Sequence, residues 1–148
     1  MVAALGCALL LAAFTDIRGR IVENWLNAGI ALAAPLYWWA SGYQLWPDMA
    51  IQIAVAALVF AIFAGVFAIG AMGGGDVKLI GALALWLPFQ QLIFMLLVMS
   101  IAGGVLTAAM AVVHKIRKSK DNLEIPYAVA IAAGGLWVLG ASNFNHFA

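Results

Sequence analysis

The stretch MGGGDVKLIGALALWLPFQQ, residues 72–91, decides how this chain is folded. Three glycines lead into Asp76, an apolar run follows over residues 79–87, and Pro88 interrupts that run. At about 1.5 Å per residue, a helix this short spans only about half of a membrane hydrocarbon core of about 30 Å. Whether the run crosses a membrane therefore sets the orientation of every segment after it.

The composition is that of an integral membrane protein. Of the 148 residues, 67% are hydrophobic and 9% are charged, whereas soluble domains are about 45–50% apolar. The first basic residue, Arg18, follows the first apolar run, so we expect residues 1–14 to be a retained membrane segment and not a cleaved signal peptide. The lone Cys7 offers no partner for an intramolecular disulfide and no CxxC for zinc.

Short polar stretches divide the chain into six apolar segments. We predict an all-α polytopic membrane protein, with a single domain over residues 1–148 and six transmembrane helices, some of them short. Only the third and fifth segments have the about 20 residues that a perpendicular crossing requires. The segments are residues 1–14, 26–40, 49–71, 79–87, 89–113 and 126–141.

The charge pattern favours counting the short run as a crossing. With six crossings, all seven basic residues fall on one side of the membrane. The positive-inside rule then places that side in the cytoplasm and both termini outside. The basic residues are Arg18, Arg20, Lys78, Lys115, Arg117, Lys118 and Lys120. Aromatic residues near the outer ends are expected to anchor at the lipid headgroups; they are Tyr37, Trp38, Trp39, Tyr43, Trp46 and Trp86.

Two acidic residues are expected at the membrane boundary itself. Asp16 follows a segment that reaches only about 22 Å as a helix, so it stops near the inner surface. Asp76 precedes the short run and lies at the same boundary. Ionisable groups at such depth are costly and most often functional. The remaining cytoplasmic carboxylates are expected in solvated loops, where they can attract a basic partner; they are Glu23, Asp121 and Glu124.

The residues around Asp76 predict a local structure that admits a peptide. Gly73, Gly74 and Gly75 can adopt positive φ and leave the backbone uncovered, so that another chain approaches closely. Asp76 can cap a helix that starts near Val77, where free N–H groups stabilise a negative side chain. Taken alone, a simple helix cap at a membrane-edge turn explains these residues as well as a catalytic role does.

Two carboxylates at one site can hydrolyse a peptide bond, because one acts as base toward a water while the other donates a proton. Other hydrolytic chemistries lack their residues: there is no HExxH motif, and His114 and His146 are predicted on opposite sides of the membrane. Paired carboxylates also serve proton or cation passage. A small transport subunit and a non-catalytic assembly factor therefore remain alternatives at this point.

Three motifs resemble those of the type IV prepilin peptidases, a family of membrane aspartic proteases. GGGDVKLIGALALWL, residues 73–87, resembles the family's GxGD-x-K-L signature, and TDIRGRIVENWLN, residues 15–27, resembles its first active-site region. IPYAVAIAAGG, residues 125–135, resembles its closing helix. The three matches occur in the family's order and span most of the chain. The resemblance implies that Asp16 and Asp76 are the two catalytic aspartates.

The resemblance also implies a substrate and a location. Larger family members carry two CxxC pairs and methylate the new amino terminus, so this chain is similar to the short, peptidase-only form associated with Flp/Tad-type pili. Its partner would be a prepilin with a basic leader and a hydrophobic helix. Cleavage is expected at the cytoplasmic face of the bacterial inner membrane, among anionic lipids. Neither a cofactor, a metal nor a nucleic acid is implied.

Six further site residues carry weaker implications. The three glycines at positions 73–75 would admit the extended substrate backbone, and Lys78 would tune Asp76 or hold a substrate carbonyl. Many relatives read Ile-Pro-Asn where this chain has Val22, Glu23 and Asn24. Glu23 in place of proline is expected to alter the shape of this loop and the substrate preference.

Overall fold

The computed structural model describes residues 1–19, 21–117 and 125–147, with side chains described for residues 1–19, 21–116 and 125–141. Several residues of the predicted charge pattern lie outside this part: Arg20, Lys118, Lys120, Asp121 and Glu124. Within it the chain forms six α-helices and no strand, which confirms the predicted all-α fold and helix number. The helices are α1 (Val2–Gly19), α2 (Asn24–Ala40), α3 (Ala50–Ala68), α4 (Gly74–Ala84), α5 (Phe89–Arg117) and α6 (Tyr127–Phe147).

Three helical stretches are long and apolar enough to cross a membrane: Val2–Gly19, Leu45–Ala68 and Phe89–Ile116. A shorter apolar helix spans Tyr127–Ala141. The first stretch is longer than the sequence indicated, because α1 continues past residue 14 to Gly19. Arg18 lies in its last turn, where the negative end of the helix dipole stabilises a cation. Asp16 is therefore inside the helix and not beyond its end.

Neighbouring helices run in alternating directions. Asn27 near the start of α2 donates to the Gly75 carbonyl near the start of α4 (3.1 Å), whereas Gln52 near the start of α3 reaches the end of α4. Ala128 near the start of α6 lies beside Asp16 near the end of α1. The end of α1 and the starts of α2, α4 and α6 therefore meet at one end of the bundle.

Helix α4 is the centre of the bundle, although it is too short to span a membrane. It contacts α2, α3 and α6, and from Asp76 to Ala84 every residue except Lys78 is buried. Lipid is as apolar as a leucine side chain, so close packing and hydrogen bonds, more than hydrophobic burial, hold such a helix in place. The short run of the sequence is thus an inner element surrounded by longer helices.

Side-chain donors from neighbouring helices cap the carboxyl-terminal end of α4. Gln52 Nε2 donates to the carbonyl oxygens of Ala84 and Leu87, both at 2.7 Å, and Trp38 Nε1 donates to that of Leu85 at 2.8 Å. The last carbonyls of any helix have no partner within the helix. In an apolar surrounding each unsatisfied group costs several kcal/mol, so these bonds allow α4 to end inside the bundle.

Two tryptophans predicted to be headgroup anchors belong to the core instead. Trp38 is 4% exposed and Trp86 is 6% exposed. The Trp86 indole donates to a backbone oxygen of α2 at 2.8 Å and its ring stacks on Tyr37, with ring centroids 4.9 Å apart. The anchoring prediction is wrong for Trp38 and Trp86, because their N–H groups find carbonyl partners between helices. Trp39 and Trp46 are exposed, and their anchoring stays a prediction.

Replacing Gln52 by Leu is expected to lower the thermal unfolding midpoint of the protein in detergent. The change keeps the side chain's bulk but removes the donor to two buried carbonyls, at a cost of about 1–3 kcal/mol for each unsatisfied group. Gln44→Leu is the matched control because Gln44 is exposed in the loop before α3. Equal midpoints for the two variants would show that the Gln52 bonds do not hold α4.

Candidate active site

Asp16 and Asp76 are brought together by the fold. Their side chains are 5% and 8% exposed, and they lie close enough for their charges to interact. Asp16 comes from the last turns of α1 and Asp76 from the first turn of α4. Two carboxylates in such proximity and burial do not ionise together easily. One proton shared by such a pair would supply both the base and the acid of acid–base chemistry.

Asp76 is held by the start of its own helix. Helix α4 begins at Gly74 with Gly73 as the N-cap, so Asp76 is the third helical residue and accepts a hydrogen bond from the Gly73 backbone. A third residue that reaches back to the N-cap N–H forms one half of a capping box. The prediction that Asp76 caps a helix starting near Val77 is wrong in position, because α4 begins at Gly74, about one turn earlier.

Asp16 is held by the start of a different helix. Its Oδ2 accepts the backbone N–H of Ala128, the second residue of α6, at 3.0 Å, and both residues are buried. N–H groups in the first turn of a helix have no partner within the helix, and the positive end of the helix dipole favours a carboxylate. Pro126 immediately precedes α6. The Ile-Pro-Tyr segment thus places a helix start against Asp16.

The three glycines do not serve as left-handed turn residues. Positive φ occurs at Gly42 and Gly70, whereas Gly73 has φ −71° and Gly74 and Gly75 are the first residues of α4. The prediction of positive φ before Asp76 is therefore wrong. The run is extended at Gly73 and helical from Gly74, because the helix starts within the glycines and not after them.

Gly75 is required for a close approach. A Cβ atom at this position would lie 3.1 Å from the Val22 carbonyl oxygen and 3.2 Å from the Val22 Cβ. The carbonyl of Gly75 accepts the Asn27 side-chain amide. The glycine thus lets the segment between α1 and α2 lie directly against the turn that carries Asp76. Admission of a substrate backbone by these glycines stays a prediction.

The other predicted site residues lie on the surface of the same end. Lys78 Nζ donates to Asn24 Oδ1 at 2.8 Å, which links α4 to α2, and both residues are exposed. Glu23 precedes α2 and accepts a hydrogen bond from the Trp25 indole. Roles of Lys78, Glu23 and Asn24 toward a substrate stay predictions.

Two residues of this site were not singled out from the sequence. Asn27 is 4% exposed and contacts the site through its hydrogen bond to the Gly75 carbonyl. The available signal in the sequence was an amide residue within an otherwise apolar segment. Ala128 acts through its backbone, for which the sequence carries no side-chain signal. Within the described ranges, no three His, Cys, Asp or Glu side chains group together as metal ligands.

A pair of buried carboxylates, each bound to the N–H of a helix start, is a candidate site for acid–base catalysis on an apolar helical bundle. The model of the type IV leader peptidase family matches residues 3–108, and this chain belongs to that family. The match includes both aspartates. Membership confirms the resemblance and indicates a protease with a leader-peptidase-like function. No curated protein and no solved structure matches the chain significantly.

Gly75→Val is expected to lower leader-peptide cleavage by at least about tenfold, which corresponds to a barrier change of about 1.4 kcal/mol. A branched side chain would press on the Val22 backbone and displace the turn that carries Asp76. Gly104→Val on α5 is the matched control because a Cβ there meets nothing within 4 Å. Cleavage is compared at equal membrane levels. If both variants cleave equally well, the close approach at Gly75 is not required.

Proposed function

We propose that the chain is a membrane aspartic endopeptidase that removes the leader peptide from type IV prepilins of the Flp/Tad type. One observation carries the proposal: Asp16 and Asp76, on separate helices, meet in a buried site at one end of the bundle. Membership of the leader peptidase family supports the substrate class.

In the proposed reaction the two carboxyls share one proton. The ionised carboxylate takes a proton from a water as the water oxygen bonds to the scissile carbonyl carbon, and the protonated carboxyl donates its proton to the carbonyl oxygen. The tetrahedral intermediate then collapses: the C–N bond breaks, the carboxyl that took the water proton passes it to the leaving nitrogen, and the other carboxylate takes a proton from a hydroxyl of the intermediate. The N–H groups of Gly73 and Ala128 keep both carboxyls oriented throughout.

The proposed setting is the bacterial inner membrane with the aspartates toward the cytoplasm. The alternating helix directions support the six-helix topology, with the short α4 counted as one pass of the chain, since the end of α1 and the starts of α2, α4 and α6 lie together. Arg18 and Lys78 lie at this same end, as the positive-inside rule requires of a cytoplasmic face. A basic leader would remain in the cytoplasm, where Glu23 is exposed.

The direct test is co-expression of the chain with a Flp-type prepilin and detection of the shortened product by gel mobility and by sequencing of its new amino terminus. We expect one cut at the junction between the basic leader and the hydrophobic helix, and no methylation of the product. A cut elsewhere in the prepilin would contradict the proposed leader peptidase activity.

A further inference from the structure

An apolar groove of about 520 Å³ lies between α2, α3 and α4. Its walls are formed largely by small residues, among them Ala28 on α2, Ala57 on α3 and Gly81 on α4. Its polar lining includes Asn27 and Lys78, which lie at the starts of α2 and α4. The groove is therefore polar at the end where Asp76 lies and apolar along the rest of its length.

Asn27 carries an unused acceptor at that polar end. Its Nδ2 donates to the Gly75 carbonyl, which fixes the orientation of the amide. Its Oδ1 is buried and has no hydrogen-bond partner within the described ranges. A buried acceptor without a donor is rare, because its desolvation is not compensated. Asn27 also lines the groove, so a small movement of its side chain would present Oδ1 to an N–H group of a molecule seated there.

The amino-terminal end of an apolar helix offers the N–H donor that Asn27 lacks in this groove. The first N–H groups of a helix have no partner within it, and an asparagine side chain is among the best acceptors for them. Small residues on the groove walls allow helix backbones to approach closely within a membrane. A lipid acyl chain would fill the apolar part but has no donor for Asn27.

We propose that the groove docks the hydrophobic helix of the prepilin substrate, with Asn27 Oδ1 accepting an N–H from the first turn of that helix. The inference rests on the proposed function and adds the place where the substrate's membrane segment is held. The chain that precedes the docked helix passes Gly75, whose neighbour is Asp76. The junction between leader and helix is thereby delivered to the two aspartates.

Site-specific photocrosslinking tests the docking directly. A photoreactive amino acid is placed at Ala57, in the groove, or at Ala54, an exposed alanine of the same helix outside it. Both are made in the Asp76→Asn chain, which is expected to retain uncleaved prepilin. We expect crosslinks from position 57, and not from position 54, to the first turns of the prepilin helix. Crosslinks from position 57 to phospholipid alone would overturn the proposal.

Cleavage kinetics give an independent readout. Ala57→Trp fills the groove and Asn27→Leu removes the acceptor, and each is expected to raise the KM for full-length prepilin about tenfold. Ala57→Trp should not raise the KM for a short peptide that spans the cleavage site but lacks the hydrophobic helix; Asn27→Leu also removes the bond to the Gly75 carbonyl, so it is compared on prepilin alone. Ala54→Trp is the matched control and should leave both substrates unaffected.

The kinetic outcomes separate the two proposals. If Ala57→Trp, Asn27→Leu and the unaltered chain share one KM for prepilin while Asp16→Asn is inactive, the docking site is overturned and the peptidase proposal stands. If Ala57→Trp raises the KM equally for prepilin and for the short peptide, the groove does not recognise the helix, and the docking site is likewise overturned. If Asp16→Asn remains fully active, the peptidase mechanism fails, and the docking proposal fails with it.

Discussion

Replacing either Asp16 or Asp76 by Asn is expected to abolish prepilin cleavage, with a loss of at least about 10²–10⁴-fold, the range typical of acid–base catalysis. Asparagine keeps the size of the side chain and still accepts the N–H of Ala128 or Gly73. It can neither take a proton from water nor donate one as an acid. The loss should therefore appear in the chemical step while membrane insertion is unchanged, measured by gel-shift cleavage at equal membrane levels.

Asp48→Asn is the matched control for these two variants. Asp48 is exposed and its Oδ2 accepts the Gln44 backbone N–H at 3.1 Å. It precedes α3, whose start lies beside the end of α4, so it is at the opposite end of the bundle from Asp76. This variant should cleave like the unaltered chain. Full activity in Asp16→Asn or Asp76→Asn would contradict the aspartic mechanism.

Ala128→Pro is expected to lower kcat by about 10- to 100-fold, with little change in KM. Proline removes the N–H that Asp16 accepts, and a hydrogen bond to a charged group contributes about 1.5–3 kcal/mol. Proline is tolerated in the first turn of a helix, so α6 should still form. Because the N–H stabilises the ionised carboxylate, its loss should also displace the pH profile of kcat.

Val129→Pro serves as the control for the backbone change itself. Val129 is the next residue of α6, and its N–H donates to the Pro126 carbonyl and not to an aspartate. Each variant replaces one N–H group in the first turn of α6, and only Ala128→Pro should show the kcat loss and the altered pH profile. Equal kinetics for the two variants would show that the Ala128 N–H does not position Asp16.

Features encoded along the chain were predictable from the sequence. The six apolar segments gave the helix number, because each is separated from the next by polar residues or a proline. The spacing of glycines, Asp76 and Lys78 indicated the family, which the match over residues 3–108 confirms. Both signals are local in the sequence, so they can be detected without knowing which helices pack together.

Features that depend on tertiary partners were missed or misjudged. Trp38 and Trp86 have the composition of headgroup anchors, but their indoles bind carbonyls of neighbouring helices. The glycines before Asp76 suggested left-handed turns, whereas the tight contact is between Gly75 and the distant Val22 backbone. Ala128 offers only an amide hydrogen. None of these partners can be identified from spacing along the chain.

The hydrogen bonds at both ends of α4 make the position of Asp76 independent of direct contact with the surrounding lipid. Longer helices adapt to a thicker or thinner membrane by tilting, and residues near their ends move in depth as they do so. Helix α4 takes its position from Asn27 at one end and Gln52 at the other, and not from lipid. Asp76 therefore keeps its position relative to α2 and α3 when the lipid chain length changes.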